Sequence, residues 1–227
     1  MIEVIAMTIE DAKKIEACGA DRIELVSSLS EGGLTPSWAL IRNIIKAIKI
    51  PVNIMIRPHS KSFIYTDEEI AIMKEDIIIA KELGANGVVF GTIDENGSIC
   101  IKSLENLLKV CAGIDITFHR AIDELKNPIE GIKILSNYPQ ITNVLTSGGK
   151  GNILDNISTI NEMIRYRKHI NIMIGGGLKF SNIKQIMKNT SANQYHFGTA
   201  IRYNGTCWGE IDDKSLKMLV NIIKERS

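Results

Sequence analysis

Glu3, Glu24, Arg57, His119 and His196 are the residues whose types and positions could do chemistry. Each falls inside or at the end of a short apolar, β-branched run: residues 2–6, 22–27, 52–57, 114–119 and 194–198. A carboxylate turned outward from such a run would be buried without a partner, which is costly. Turned inward, Glu3 and Glu24 are expected to meet Arg57 or His119. Alternation of strand side chains sets Glu3 with Ile5, Glu24 with Val26, Met55 with Arg57 and Thr117 with His119 on common faces. Carboxylates, imidazoles and a guanidinium gathered at one place suit acid–base catalysis, or form an oxygen–nitrogen shell for a divalent metal. The same residues also fit a buried ion network that does no more than fix strand register.

Glycines mark a second chemistry. The segments Thr146-Ser-Gly-Gly-Lys-Gly151, Ile174-Gly-Gly-Gly-Leu178 and Tyr195-His-Phe-Gly-Thr-Ala200 each follow or end an apolar run. Glycine lets backbone N–H groups come close to an anion, so Ser147, Gly148, Gly176, Gly177 and Gly198 are the expected phosphate-binding loop residues. The Walker spacing G-x-x-x-x-G-K-[ST] fails, and no G-x-S-x-G nucleophile elbow is present. Lys61, Lys150 and Lys179 lie between runs rather than in them, which argues against a Schiff-base lysine.

The elements that must position these groups follow one rhythm. Strand-like runs at 2–6, 22–27, 52–57, 87–91, 114–119, 143–147, 170–175 and 194–198 alternate with helix-period stretches. The clearest of these stretches are 8–18, 67–83, 103–111, 152–166 and 213–224, with apolar residues three and four apart. Thr8 with Asp11 and Thr66 with Glu69 have the spacing of N-caps followed by an acid. Strands separated by helices pair in parallel, and eight such units match a closed (β/α)8 TIM barrel, α/β in class. A doubly wound sheet would want G-x-G-x-x-G after the first strand, and Ala6-Met-Thr-Ile-Glu10 contains no glycine. With no Pro- or Ser-rich linker, residues 1–227 are expected to form a single domain. In such a barrel the active site forms at the C-terminal strand ends, and loops seven and eight commonly hold phosphate.

Composition narrows the partners. The 227 residues are 44% hydrophobic and 23% charged, with a net charge of +1 and no basic or acidic half. Nucleic acid and membrane surfaces are therefore not expected partners; a small anionic molecule or a metal ion is. The apolar runs are too short to span a bilayer. Cys18, Cys100, Cys111 and Cys207 show no CxxC spacing, and Glu3 sits where a leader would be basic, so the cytoplasm is the expected location.

Gly19-Ala-Asp-Arg-Ile-Glu-Leu25, Glu31-Gly-Gly-Leu-Thr-Pro-Ser37, Met55-Ile-Arg-Pro58, Thr117-Phe-His-Arg-Ala121, Leu145-Thr-Ser-Gly148 and Gly175-Gly-Gly177 together resemble the CutC family. The resemblance runs from Glu3 to about Ala200. It implies a cytoplasmic (β/α)8 barrel, often a homo-oligomer, labelled a copper-homeostasis protein and proposed to bind copper. The family commonly carries cysteine where this chain has Ile5 and Val26, and frequently Arg where it has His59. Thiolates select copper(I), so their loss removes the soft ligands there. Acids, bases and glycine loops without thiols point towards an enzyme acting on a small anionic or phosphorylated metabolite. Copper handling without catalysis, through Met55, His119, His196 or the scattered cysteines, is the alternative.

Overall fold

A computed structural model describes residues 1–225. The strands are β1 (Ile2–Ala6), β2 (Arg22–Leu25), β3 (Val52–Met55), β4 (Gly87–Phe90), β5 (Asp115–Phe118), β6 (Asn143–Thr146), β7 (Asn171–Ile174) and β8 (Gln194–Phe197). All neighbours pair in parallel, and β8 returns to β1, closing the barrel. The helices are α1 (Ile9–Ala17), α2 (Trp38–Ala47), α3 (Asp67–Glu82), α4 (Ile101–Leu108), α5 (Pro128–Leu135), α6 (Ile157–Tyr166), α7 (Phe180–Asn189) and α8 (Asp213–Lys224). The (β/α)8 expectation and its single alternating unit therefore describe the molecule. No helix among the described residues is long and apolar enough to cross a membrane.

Strand alternation sorts the side chains into two layers. Ile2, Val4, Ile23, Leu25, Ile54, Val88 and Ile116 point outward into the large core shared with the helices. Ile5, Val26, Met55 and Val89 form a separate apolar cluster inside the ring. Around it the interior is unusually polar: Glu3, Arg22, Glu24, Asn53, Thr117, Asn143 and His196 are all buried. Barrel interiors are more often filled by branched apolar residues; here Arg22 and His196 bond to Glu3, whereas Thr117 Oγ1 has no hydrogen-bond partner among the described residues.

Several expected boundaries shift, for local reasons. Arg57, His119, Ser147 and Gly198 lie past the last ladder residues of their strands, at the start of the following loops. Thr8 caps α1 by accepting from the Asp11 N–H at 3.0 Å, and Thr66 forms a full capping box with Glu69 on α3. The stretch expected at 152–166 becomes helical only at Ile157. Asn156 turns its side-chain amide back onto the carbonyls of Ser147, Gly149 and Lys150, which holds residues 152–156 as a loop. The stretch expected at 103–111 runs instead from Ile101 to Leu108.

Candidate functional site

The barrel closes Glu3 between two partners. Register sets Glu3 of β1 opposite Arg22 of β2 on one side and His196 of β8 on the other. Arg22 donates from Nε to Glu3 Oε2 at 2.5 Å, and His196 Nδ1 lies 2.8 Å from Glu3 Oε1. The other face of the imidazole looks at Glu24, with Nε2 3.7 Å from Oε2. The two glutamates therefore meet Arg22 and His196, not the expected Arg57 and His119. Arg22 was not singled out from the sequence, although it stands in the same apolar run as Glu24. It is two residues before Glu24, on the same inward face.

This cluster contains one guanidinium, two carboxylates and one imidazole, almost wholly withdrawn from water. It is electrically neutral when Glu24 and His196 share one proton, and removing that proton leaves a buried net negative charge. Burial pushes the Glu24 carboxyl up to about 7, with Glu3 adding to the rise and His196 and Arg22 opposing it. Burial alone would raise Glu3 too, but Arg22 and His196 outweigh it and hold Glu3 below its ordinary value. Burial alone would lower His196, but the two carboxylates outweigh it and raise it. Glu24 Oε1 has no hydrogen-bond partner although it is buried.

His119 follows β5 and caps the 3₁₀ turn Arg120–Glu124. Its Nδ1 accepts from the Ala121 N–H at 3.2 Å, so the neutral ring carries its proton on Nε2. Burial, then the charges of Arg57 and Arg120, push its pKa down to about 3. Near neutral pH His119 is thus an uncharged donor, and its buried Nε2 has no partner in the protein. Space for the ring depends on Gly91, where a Cβ would lie 2.7 Å from Nδ1.

Arg57 serves the loops more than the glutamates. It donates to the carbonyls of Glu31, Gly33 and Ser60 and lies 4.5 Å over the Phe63 ring, leaving Nε unpartnered. Ser147 and Gly148 also depart from expectation. The Ser147 N–H and hydroxyl donate to Asp123, and the Gly148 N–H to Thr146 Oγ1, so these donors are spent inside the fold. Asp123, not singled out from the sequence, is the hub: it also accepts from Thr146 Oγ1, the Gly149 N–H and Arg120 Nε. The spacing of Arg120 and Asp123 on one short turn was the available signal.

Glu24, Arg57, His119, His196, Gly176, Gly177 and Gly198 all line one cavity of about 420 Å³ at the C-terminal mouth of the barrel. Arg120 and Lys179 line it as well, and Ile5, Met55, Leu29 and Leu145 supply apolar wall. Glu3 lies outside this lining and acts through His196. Such a volume matches a small metabolite.

One oxygen or nitrogen atom from each of Glu3, Glu24 and His196 falls within 4.8 Å of the others, a spacing that could suit a metal ion. The donors are hard or borderline, and Arg22 already occupies one Glu3 oxygen. A thiolate-bound copper(I) centre does not fit these residues. Cys18, Cys100 and Cys111 bond to Asp213, Ser103 and Leu107 outside the cavity lining, and Ile5 and Val26 fill the barrel interior instead of thiols.

Comparison with known proteins adds the following. The family model for the CutC family matches residues 1–201. The human copper homeostasis protein cutC homolog is 39% identical over 197 residues, covering 86% of this chain and 72% of its own length. The family protein CutC of Glaesserella parasuis is 37% identical over 197 residues, covering 86% and 81%. The crystal structure of CutC from Streptococcus agalactiae superposes with a TM-score of 0.83 at 32% identity, covering 88% of this chain and 99% of that one.

Proposed function

The chain belongs to the CutC family, and from that premise we propose that its barrel mouth is an enzyme site for proton transfer on a small anionic or phosphorylated metabolite. One observation carries this reading. Glu24 Oε1 and His119 Nε2 are both buried, both without a protein partner, and both belong to residues lining the same cavity. Buried polar groups are normally satisfied, so an orphaned acceptor and an orphaned donor on residues that line one cavity support a ligand reaching both.

Their chemistry is complementary. Glu24, with its pKa near 7, is a base matched to neutral pH. It would take a proton from carbon next to a substrate carbonyl. The C–H electron pair moves into the carbon–carbon bond and the carbonyl oxygen takes up the negative charge, where the neutral His119 Nε2–H donates to it. Return of the proton from Glu24 to the same carbon restores the starting carbonyl compound. Where that carbon also carries a hydroxyl, the hydroxyl proton moves to the enolate oxygen and the returning proton goes to the former carbonyl carbon, giving the isomeric hydroxy-carbonyl compound without any co-reactant. His196, backed by Glu3 and Arg22, holds Glu24 and settles its charge. Gly176, Gly177 and Gly198 form the side of the cavity open to the substrate's anionic group. Cytoplasmic location is part of this reading, supported by four free cysteines.

The test is solvent-deuterium wash-in. The protein is incubated in D2O with small hydroxy-carbonyl phosphates and carboxylates, and exchange is read by NMR. Exchange into at least one compound, lost on Glu24→Gln, is expected; no exchange together with a Glu24 that titrates as an ordinary surface carboxylate would overturn the reading.

A second reading, copper handling, follows the names of the relatives and is favoured by the spacing of Glu3, Glu24 and His196. It predicts sub-micromolar binding in calorimetric titrations with copper(I) under reducing conditions or with copper(II), abolished by His196→Ala. The absence of thiolates near this cluster makes copper(II) the better fit of the two.

A further inference from the structure

We propose that Arg120 is the anion anchor of this cavity, and that with Lys179 and the loop after β7 it selects a phosphate monoester. The inference rests on the proton-transfer reading and names the substrate class that site would take.

Arg120 is held in place without being used up. Its Nε donates to Asp123 at 2.9 Å and its Nη2 to Ser147 at 3.2 Å, while Nη1 has no partner among the described residues. The side chain remains 48% exposed, whereas Asp123 beneath it is buried. A guanidinium fixed by a buried carboxylate keeps its free edge in one direction, which lowers the ordering cost of binding.

The guanidinium lies over Gly176. A Cβ on Gly176 would collide with Arg120 Nε and Cζ, and the residue's φ of +76° is in any case a glycine conformation. The glycine thus lets the guanidinium rest against the loop backbone. The N–H groups of Gly176, Gly177 and Leu178 make no hydrogen bond among the described residues. Lys179, next in the chain, forms no ion pair there and lines both this cavity and an adjoining one of about 480 Å³.

Three kinds of donor therefore meet at one end: a guanidinium edge, an ammonium and unbonded backbone N–H groups. A phosphate monoester offers three terminal oxygens and up to two negative charges, against two oxygens and one charge for a carboxylate. The buried and unpartnered His119 Nε2 and Arg57 Nε belong to lining residues of the same cavity, so a ligand anchored at Arg120 has polar groups to meet further in.

The experiment is a ¹H–¹⁵N NMR titration of the whole protein with inorganic phosphate at fixed pH and ionic strength, with acetate in parallel. Phosphate is expected to shift the Gly176, Gly177 and Leu178 amides saturably, and acetate at matched concentration to leave them in place. Arg120→Met should weaken phosphate binding at least tenfold, Arg120→Lys should recover part of the loss, and Lys179→Met should weaken it less. Unchanged amide shifts elsewhere show that each variant keeps its fold. Glu24→Gln should keep phosphate affinity within twofold, so a failure of the proton-transfer reading and a failure of this one give different results. Unchanged affinity in Arg120→Met, equal response to acetate, or saturation at amides away from this loop would each overturn the proposal.

Discussion

A buried carboxyl group pushed up to about 7 has a measurable consequence for stability. Glu24 is raised from 4.5 to about 7, chiefly by burial. The folded state therefore holds more protons than the unfolded state between these values, and stability falls as the pH rises through that window. Glu24→Gln removes this contribution. Relative to the parent, the variant should gain about 3 kcal/mol between pH 4 and pH 8, read by urea unfolding; a constant difference across that range would refute the assignment. His196 acts in the same sense, since its raised pKa gives stability that is present below its unfolded value and lost as the pH rises through the folded one. His119 acts oppositely: with its pKa pushed down to about 3, its share is lost as the pH falls below its unfolded value. Long-range ¹H–¹⁵N spectra should show the Nε2–H tautomer unchanged from pH 5 to 8, and a titration near 6.5 would remove His119 from its proposed role.

At the scale of elements, the turn after β5 and the loop after β6 form one unit through Asp123. This carboxylate accepts from Ser147, Gly149, Thr146 and Arg120. Charge-assisted bonds to a buried carboxylate are worth more than neutral ones. Asp123→Asn, close in shape but uncharged, should cost about 2–4 kcal/mol in denaturant unfolding and broaden the Arg120 side-chain signals; a neutral substitution would mean that the hub does not hold the loop. The alternating rhythm made the strands and helices legible in the sequence, because apolar period and cap spacing act locally. Loop donors were not legible in the same way. Ser147 and Gly148 have the composition of an anion loop, yet whether their N–H groups are free depends on Asp123 from another turn, and no local pattern reports that. Lys179 was set aside because it lies in no strand, and it is the start of α7 at the cavity edge that gives it a place.

Across the whole molecule, closure brings β8 beside β1, and only then does His196 reach Glu3 and Glu24. That Glu3 and Glu24 face inward was readable from strand alternation; their partners were not, since these depend on the stagger between strands. Arg22→Leu should cost about 3–5 kcal/mol, because it leaves the Glu3 charge buried with one partner fewer, and adding Glu3→Gln should recover part of the loss. Recovery of nothing would mean that the pair is not coupled. In the proposed function, barrel closure makes a buried, proton-exchanging carboxyl at the cavity wall. ¹³C-carboxyl NMR with titration of the intact protein, assigned by the signal lost in Glu24→Gln, tests it most directly. A Glu24 midpoint close to 7, accompanied by a matching step on the His196 ring, is the result predicted; a Glu24 midpoint near its ordinary value of 4.5, with no response at His196, would contradict it.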